Sequence, residues 1–240
     1  METSAKIALV FERKEKKYLM GRRQFEELLE RLLPYMRQDR YGLHTICNVY
    51  YDTPDYELIK TSLEKPVYKE KLRLRSYGVP GKDDLVFLEI KKKYQGVVYK
   101  RRTAMTLKEA EAYLENGKKP SGESQILCEI DYFLKHYRPV PAAFLAYDRI
   151  ALFEVEDKNI RITFDRNIRS RDYDLDLSLG DYGELLLEDD CCLMEIKVPG
   201  VFPLWLAHIL SEMRLYPVSF SKYGNVYLKE FSQAVCQKIH

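Results

Sequence analysis

The sequence predicts an α+β fold in which an antiparallel sheet closes into a barrel, charged inside and apolar outside under helices. Three observations predict it. Several segments alternate strictly between charged and apolar residues, the period of a half-buried strand. The charged positions of these segments are mostly Lys and Arg. Helical segments with one apolar face interrupt the strands and can cover the apolar side of the sheet.

The elements follow in chain order. Ile7 to Tyr18 reads as a strand. Arg22 to Arg37 carries Phe25, Leu28, Leu29, Leu32 and Leu33 at helical spacing. Thr45 to Tyr51 is β-branched and aromatic, and stops at Asp52-Thr53-Pro54, a turn and helix-start signal. A short helix over Tyr56 to Leu63 follows. Tyr68 to Tyr77, Leu85 to Lys93 and Val97 to Met105 read as consecutive hairpins, turned at Gly78-Val79-Pro80-Gly81 and Gln95-Gly96. Leu107 to Asn116 is helical and ends at Gly117. Ser124 to His136 is a second helix, broken by Pro139 and Pro141. Ala143 to Leu152, Ile160 to Arg166 and Cys191 to Val198 are strands. Phe202 to Leu215 is an apolar helix, Tyr216 to Lys222 a final strand, and Asn225 to Gln237 a closing helix. No linker or repeat interrupts residues 1–240, which read as one domain.

Composition narrows the class. The 240 residues hold 39 Lys+Arg against 37 Asp+Glu, and 46% are hydrophobic, which excludes a disordered chain. The net charge of +2 conceals basic stretches at Lys65–Arg75 and Lys91–Arg102 and an acidic one at Asp172–Asp190. The five Cys form no CxxC, and the four His form no close pairs with them, which argues against zinc and for reduced thiols. No apolar run approaches a membrane span and the first residues are no signal peptide, so a cytoplasmic protein is expected.

Alternation places Lys69, Lys71, Arg73 and Arg75 on one face of their strand, with Leu72 and Leu74 on the other. Phe87, Glu89 and Lys91 share a face, as do Lys100 and Arg102. Arg161, Thr163 and Asp165 alternate with Ile160, Ile162 and Phe164, and Glu195 and Lys197 with Met194, Ile196 and Val198. A solvated sheet face explains any one of these strands. Adjacent cations repel unless an anion lies between them, so the set together points to a basic interior that takes a polyanion with a divalent metal. Arg and Lys neutralise phosphate oxygens, and Glu oxygens suit Mg²⁺ or Mn²⁺.

In this order along the chain stand Glu15-Lys16-Lys17-Tyr18, Val49-Tyr50-Tyr51-Asp52-Thr53-Pro54-Asp55, Lys71-Leu72-Arg73-Leu74-Arg75, Glu89-Ile90-Lys91, Tyr147-Asp148-Arg149, Arg161-Ile162-Thr163-Phe164-Asp165, Glu195-Ile196-Lys197 and Phe220-Ser221-Lys222-Tyr223. The ordered set resembles the triphosphate tunnel metalloenzymes, the CYTH superfamily. Within them it is most similar to the VTC (vacuolar transporter chaperone) catalytic domain, the polyphosphate polymerase branch. The resemblance implies a closed eight-stranded antiparallel tunnel. It implies phosphate binding by Lys17, Arg73, Arg75, Lys91, Lys100, Arg149, Arg161, Lys197 and Lys222. It further implies that Arg73, Arg75, Arg161 and Lys222 act in catalysis with Glu195. It also implies Glu195 as the principal ligand of Mn²⁺ or Mg²⁺, with Glu15 and Glu89 adding oxygens at the metal or to the groups around it. The superfamily's first motif is ExExK, and Arg13 stands at its first Glu. Ser219 stands where a second basic residue precedes Lys222. No SPX-like regulatory segment accompanies the motifs.

The function expected from this resemblance is a metal-dependent phosphotransferase that moves the γ-phosphoryl of ATP onto a growing polyphosphate chain. Hydrolysis of triphosphate or of nucleoside or thiamine triphosphates is the alternative, and it needs more acids around a water than this chain offers. A non-catalytic binder of polyphosphate or RNA ranks below both, because the basic faces carry few aromatics for stacking. No nucleic-acid partner is expected, and protein partners are not legible. Packing is expected for Cys191-Cys192 and Trp205, a core or surface position for His208, and a solvated loop for Asp172, Asp174 and Asp176.

Overall fold

The computed structural model describes residues 13–237 apart from 96, 121, 123 and 189, with side chains described over 14–229. The elements are β1 (Arg13–Gly21), α1 (Arg22–Leu32), β2 (Met36–Gln38), β3 (His44–Asp52), α2 (Glu57–Leu63), β4 (Tyr68–Tyr77), β5 (Leu85–Tyr94), β6 (Val97–Thr106), α3 (Leu107–Asn116), α4 (Gln125–Tyr137), β7 (Val140–Glu154), β8 (Arg161–Arg171), a 3₁₀ turn (Leu177–Leu179), β9 (Glu184–Leu185), β10 (Cys191–Pro199), α5 (Leu204–Glu212) and α6 (Lys222–Gln237). The ladders β1–β10, β10–β8, β2–β7, β3–β4, β3–β7, β4–β5, β5–β6 and β8–β9 are antiparallel. The chain divides into two compact units, Met1–Gly42 with Ile150–Asp165 and Asp190–Ser219, and Leu43–Arg149 with Arg166–Asp189 and Phe220–His240.

In the first unit β10 lies between β1 and the first half of β8, with Lys17 opposite Glu195 and Glu195 opposite Thr163. Ile162, Phe164, Met194, Ile196 and Val198 take the other face and pack with Phe25, Leu28 and Leu32 of α1 and Leu206 of α5. Phe25 meets Phe164 edge-on at 5.1 Å. The helix expected to run to Arg37 ends at Leu32, because Pro34 cannot continue it, and Met36–Gln38 turns into β2 against the end of β7. The final strand expected at Tyr216 to Lys222 reduces to one bridge, between Val218 and Lys17. Pro217, lacking an N–H, interrupts any longer ladder.

In the second unit the ladders run from the first part of β7 through β3, β4 and β5 to β6. Cys47, Val49, Leu72, Leu74, Leu88 and Ile90 face a core closed by Leu107 and Tyr113 of α3 and Ile130 and Phe133 of α4. Thr106 and Glu109 form a capping box at the start of α3, and Gly117 ends that helix in the left-handed region. Ser124 caps α4. Pro141 lies inside β7, where a break was expected. The register slips there, between Tyr50 and Tyr51, and a bulge tolerates a residue without an N–H.

The antiparallel α+β architecture is therefore as expected, but a closed eight-stranded barrel is not. There are ten strands, and among the described residues β6 pairs only with β5 while β1 finds a ladder only in β10. Residues 7–12 of the first expected strand lie outside the described residues, as do Cys236's side chain and His240.

Candidate functional site: two charged sheet faces

In the second unit the charged face of β4–β6 is built by register. Arg73 stands opposite Glu89 and Glu89 opposite Arg102; Lys71 opposite Lys91 and Lys91 opposite Lys100; Lys69 opposite Lys93. Glu89 is 2% exposed and organises the face. Its Oε2 accepts from Arg73 Nε at 2.8 Å and lies 2.7 Å from the second guanidinium nitrogen, with Arg75 at 3.8 Å. Its Oε1 lies 2.9 Å from the Lys100 ammonium, an ion pair without the alignment of a hydrogen bond. Burial would raise the Glu89 carboxyl, but Arg73, Arg75 and Lys100 outweigh it and hold it down at about 2. Burial and repulsion from the two arginines push Lys100 down to about 8, against the pull of Glu89. Half-buried, Arg73 is held firmly protonated by Tyr50 and Glu89.

Neutral side chains fix the arginines. Arg73 donates to the Tyr50 hydroxyl at 3.0 Å. Arg75 donates to Asn48 Oδ1 at 2.9 Å and to the Tyr147 hydroxyl at 3.1 Å. Asn48 in turn donates to the Leu145 carbonyl. Burial acts to raise the Tyr50 hydroxyl, but Arg73 beside it wins and the group titrates below its usual range. Tyr50 stacks on Tyr223 at 4.7 Å, and Tyr223 donates to Asp52. Asp52 also accepts from the backbone of Leu58 and Ile59, so one carboxylate starts α2 and anchors α6. Lys222 and Arg149 lie over the Tyr147 ring at 4.6 and 5.0 Å. Tyr147 thus gathers Arg75, Arg149 and Lys222, three residues expected to bind phosphate.

The first unit carries a different face. Glu15 and Lys17 of β1, Glu195 and Lys197 of β10, and Arg161 and Thr163 of β8 are cross-strand neighbours. Lys17 Nζ lies 3.7 Å from Glu15 and 3.8 Å from Glu195, and Lys197 Nζ lies 2.5 Å from the other Glu195 oxygen. The Thr163 hydroxyl is buried without a hydrogen-bond partner among the described residues. No group of three His, Cys, Asp or Glu gathers as a ready metal cage among the described residues. Mg²⁺-type ions, however, are commonly held by one or two carboxylates plus substrate phosphates. Glu195 and Glu15 on neighbouring strands, with the Thr163 hydroxyl on the strand beside Glu195, fit that smaller requirement, with Lys17 and Lys197 as resident counter-charges. Glu89 sits in the second unit with both oxygens facing cations.

Sequence reasoning missed Asn48, Tyr50 and Tyr147 as the groups that aim the arginines. Their alternation with Cys47, Val49 and Ala146 was the available signal. It also left Arg102 out of the binding set, although its alternation with Lys100 was visible; its guanidinium lies 4.8 Å over Phe87. Trp205 packs as expected, whereas Asp174 and Asp176 of the loop expected to be solvated are engaged in hydrogen bonds. Trp205 stacks on Tyr35 at 4.2 Å and donates to Glu154. Cys192 is buried while Cys191 is partly exposed, on opposite faces. His208 is exposed. Asp176 caps the 3₁₀ turn and Asp174 accepts from Tyr182. Among the described residues no helix is long and apolar enough to cross a membrane.

Comparison with known proteins fits this arrangement. No curated protein matches the chain. A Bacillus halodurans protein provisionally named an adenylate cyclase superposes with a TM-score of 0.54 at 17% identity, covering 86% of this chain and 92% of that one. A provisionally named adenylate cyclase from Vibrio parahaemolyticus gives 0.51 at 13% identity, covering 90% and 97%. A provisionally named adenylyl cyclase from Hippeastrum, described as having a dominant triphosphatase activity, gives 0.51 at 15% identity, covering 87% and 92%. These likenesses establish a shared fold. The profile of the VTC domain matches residues 12–231, nearly the whole chain, and the protein belongs to the VTC domain family.

Proposed function

We propose that this chain, working as one catalytic domain, transfers the γ-phosphoryl group of ATP to the end of an inorganic polyphosphate chain. The observation that carries the reading is the β4–β6 face, where Arg73 and Arg75 are held in fixed orientation by Glu89, Tyr50, Asn48 and Tyr147. Fixed guanidinium forks match phosphate oxygens and neutralise them without reorganising. In the reaction a terminal phosphate oxygen of the acceptor attacks the γ-phosphorus. The bond to the β–γ bridging oxygen breaks and ADP leaves with that oxygen. The acceptor oxygen is already ionised, so no general base is required, and positioning with charge neutralisation supplies the catalysis. Arg73, Arg75 and Lys100 hold phosphoryl oxygens, with Lys91, Lys222 and Arg149 beside them on the second unit; Lys17, Lys197 and Arg161 offer phosphate contacts on the first unit. A divalent ion, Mn²⁺ or Mg²⁺, held on the first unit's face by Glu195 with Glu15, would supply positive charge to phosphate oxygens bound there.

Hydrolysis is the second reading, favoured by the triphosphatase activity named for the Hippeastrum relative in fold. Product analysis separates the two. With ATP and Mn²⁺, the transferase gives ADP and chains that migrate as a ladder on a gel. Stoichiometric free phosphate without chains would replace the transferase reading with the hydrolase one.

A further inference from the structure

At the Arg75 end of the β4–β6 face the charged row gives way to aromatic rings. Tyr77 follows Arg75 on the same face of β4 and stands opposite Ile46, and Phe87 stands opposite Arg75 on β5. The His44 ring lies 5.9 Å from Tyr77 between centres, and the Phe87 ring 5.6 Å. They meet Tyr77 at 52° and 79°, so neither lies parallel on it. Tyr77 itself is 52% exposed. The exposed tyrosines at the Lys69 end, Tyr68, Tyr94 and Tyr99, alternate onto the opposite face.

The backbone under Tyr77 is fixed. The Ser76 hydroxyl donates to the Gly78 carbonyl at 2.7 Å, and the Gly78 N–H donates to the Thr45 carbonyl at 2.9 Å. Gly78 takes φ 76°, the left-handed region that favours glycine, and turns the chain away directly after the ring. A ring on a pinned strand end loses little freedom when a flat partner stacks on it. One exposed tyrosine needs no explanation by itself. Its position gives it one. Two residues separate it from Arg75, about 7 Å along the strand, a gap that one ribose bridges between an α-phosphate and its base. Arg102, 4.8 Å over the Phe87 ring, and Arg149, opposite His44, place positive charge beside the rings.

We infer that Tyr77, flanked by His44 and Phe87, is the platform on which the nucleobase of the donor nucleotide stacks, with the α-phosphate at Arg75 and the γ-phosphoryl directed along the row toward Arg73 and Lys71. The inference rests on the proposed grip of Arg73 and Arg75 on phosphate, and adds to it a base site and the direction in which the nucleotide lies. Stacking uses the π-face that every base has, so the platform tells a nucleotide from an inorganic triphosphate rather than one base from another.

The test is calorimetric binding of ATP and of ribose 5-triphosphate to the full chain, without divalent metal or acceptor, in wild type, Tyr77→Ala and Tyr77→Trp. Ribose 5-triphosphate carries the same ester and phosphates as ATP and lacks only the base. Wild type is expected to bind ATP about tenfold more tightly, the scale of one base on one aromatic ring. Tyr77→Ala should bind ribose 5-triphosphate as wild type does and bring ATP to within about twofold of it, since the ring that stacks is gone. Tyr77→Trp should keep the gain, and its indole emission should fall with ATP and not with ribose 5-triphosphate, a base-dependent signal that a ring merely packing the sheet end does not give. Equal affinity of wild type for the two ligands, a Tyr77→Ala protein that keeps the full gain, or Tyr77→Trp emission indifferent to the base would overturn the platform alone. Ribose 5-triphosphate that fails to bind wild type would instead remove the phosphate grip on which it rests.

Discussion

The two units carry the same strand pattern with different charge balance. On the first unit's face, Lys17, Arg161 and Lys197 are offset by Glu15 and Glu195 across residues 15–17, 161–163 and 195–197. On the second unit's face eight cations share one carboxylate. A nearly balanced face suits a cation coming and going with its substrate. A strongly unbalanced one suits a polyanion that stays bound. On the proposed function this difference would put turnover on the first face and affinity on the second, and mutations should separate the two.

The largest effect is expected from Arg73→Ala. It removes a phosphate grip and strips the buried Glu89 of its best partner, so both triphosphate affinity and stability should fall. Breaking a buried pair from one side costs about 3 kcal/mol, readable as a lower denaturation midpoint. Affinity should drop more than tenfold by calorimetry. An unchanged midpoint would mean that Lys100 and Arg75 suffice for Glu89.

Glu195→Gln should do the reverse. ATP consumption with Mn²⁺ should fall by about 10²-fold or more, the scale of losing an electrostatic contributor to the transition state, while triphosphate binding stays within about twofold. Full turnover would break the division of labour between the faces.

The pH profile sharpens the second face. Lys100 in the folded protein loses its proton near pH 8, so triphosphate affinity should decline above pH 8, with proton uptake on binding. The side chain is 44% exposed, so water moderates the effect to about two- to threefold per unit. Stability should not decline with it. The folded value lies below the ordinary 10.5, so between pH 8 and 10.5 the unfolded chain binds the extra proton and the Lys100 contribution rises with pH. Glu89 acts at the other extreme. Its contribution is present above its ordinary 4.5 and is lost as pH falls through about 2. Affinity that is flat from pH 7 to 9.5 would show that Lys100 does not touch phosphate.

The smallest effect is expected from Tyr223→Phe. It deletes one hydrogen bond to Asp52 and keeps the stack on Tyr50, at a cost of about 1–2 kcal/mol. Chemical denaturation would show it, with triphosphate affinity nearly unchanged. A tenfold loss of affinity would make the Tyr50–Tyr223 stack part of the binding face.

Much of this was legible in the sequence because a strand's period of two converts position into face. Lys71, Arg73 and Arg75 announce a shared side before any register is known, and Ile162 and Ile196 announce the covered one. Proline marked the places where the reading slipped. Pro34 ended α1 early, Pro217 reduced a strand to a bridge, and Pro141 sat in a bulge that a single strand cannot reveal. Barrel closure was not legible, since it depends on which edges meet and alternation is silent on partners. Nor were the aiming groups. Tyr147 gathers cations from three separate elements, and only the fold brings Arg75, Arg149 and Lys222 to one ring. Arg169 is tied to Asp148 and Asp181, and Arg171 to the carbonyls of Asp174, Asp176 and Tyr182, so the acidic stretch serves as a latch that composition alone presents as solvated loop.

Glu89 gives the arginines a counter-charge of their own, and this sets an entry threshold for ligands. An anion arriving alone offers Arg73 little that the resident carboxylate does not already supply, and it must displace or share that partner. Linked phosphates meet several cations together, and each contact raises the local concentration of the next. On the proposed function the carboxylate would sort anions by valency, passing over orthophosphate and yielding to a chain. Neutralising it, as in Glu89→Gln, would trade that discrimination for indiscriminate affinity, in a protein less able to stand on its own.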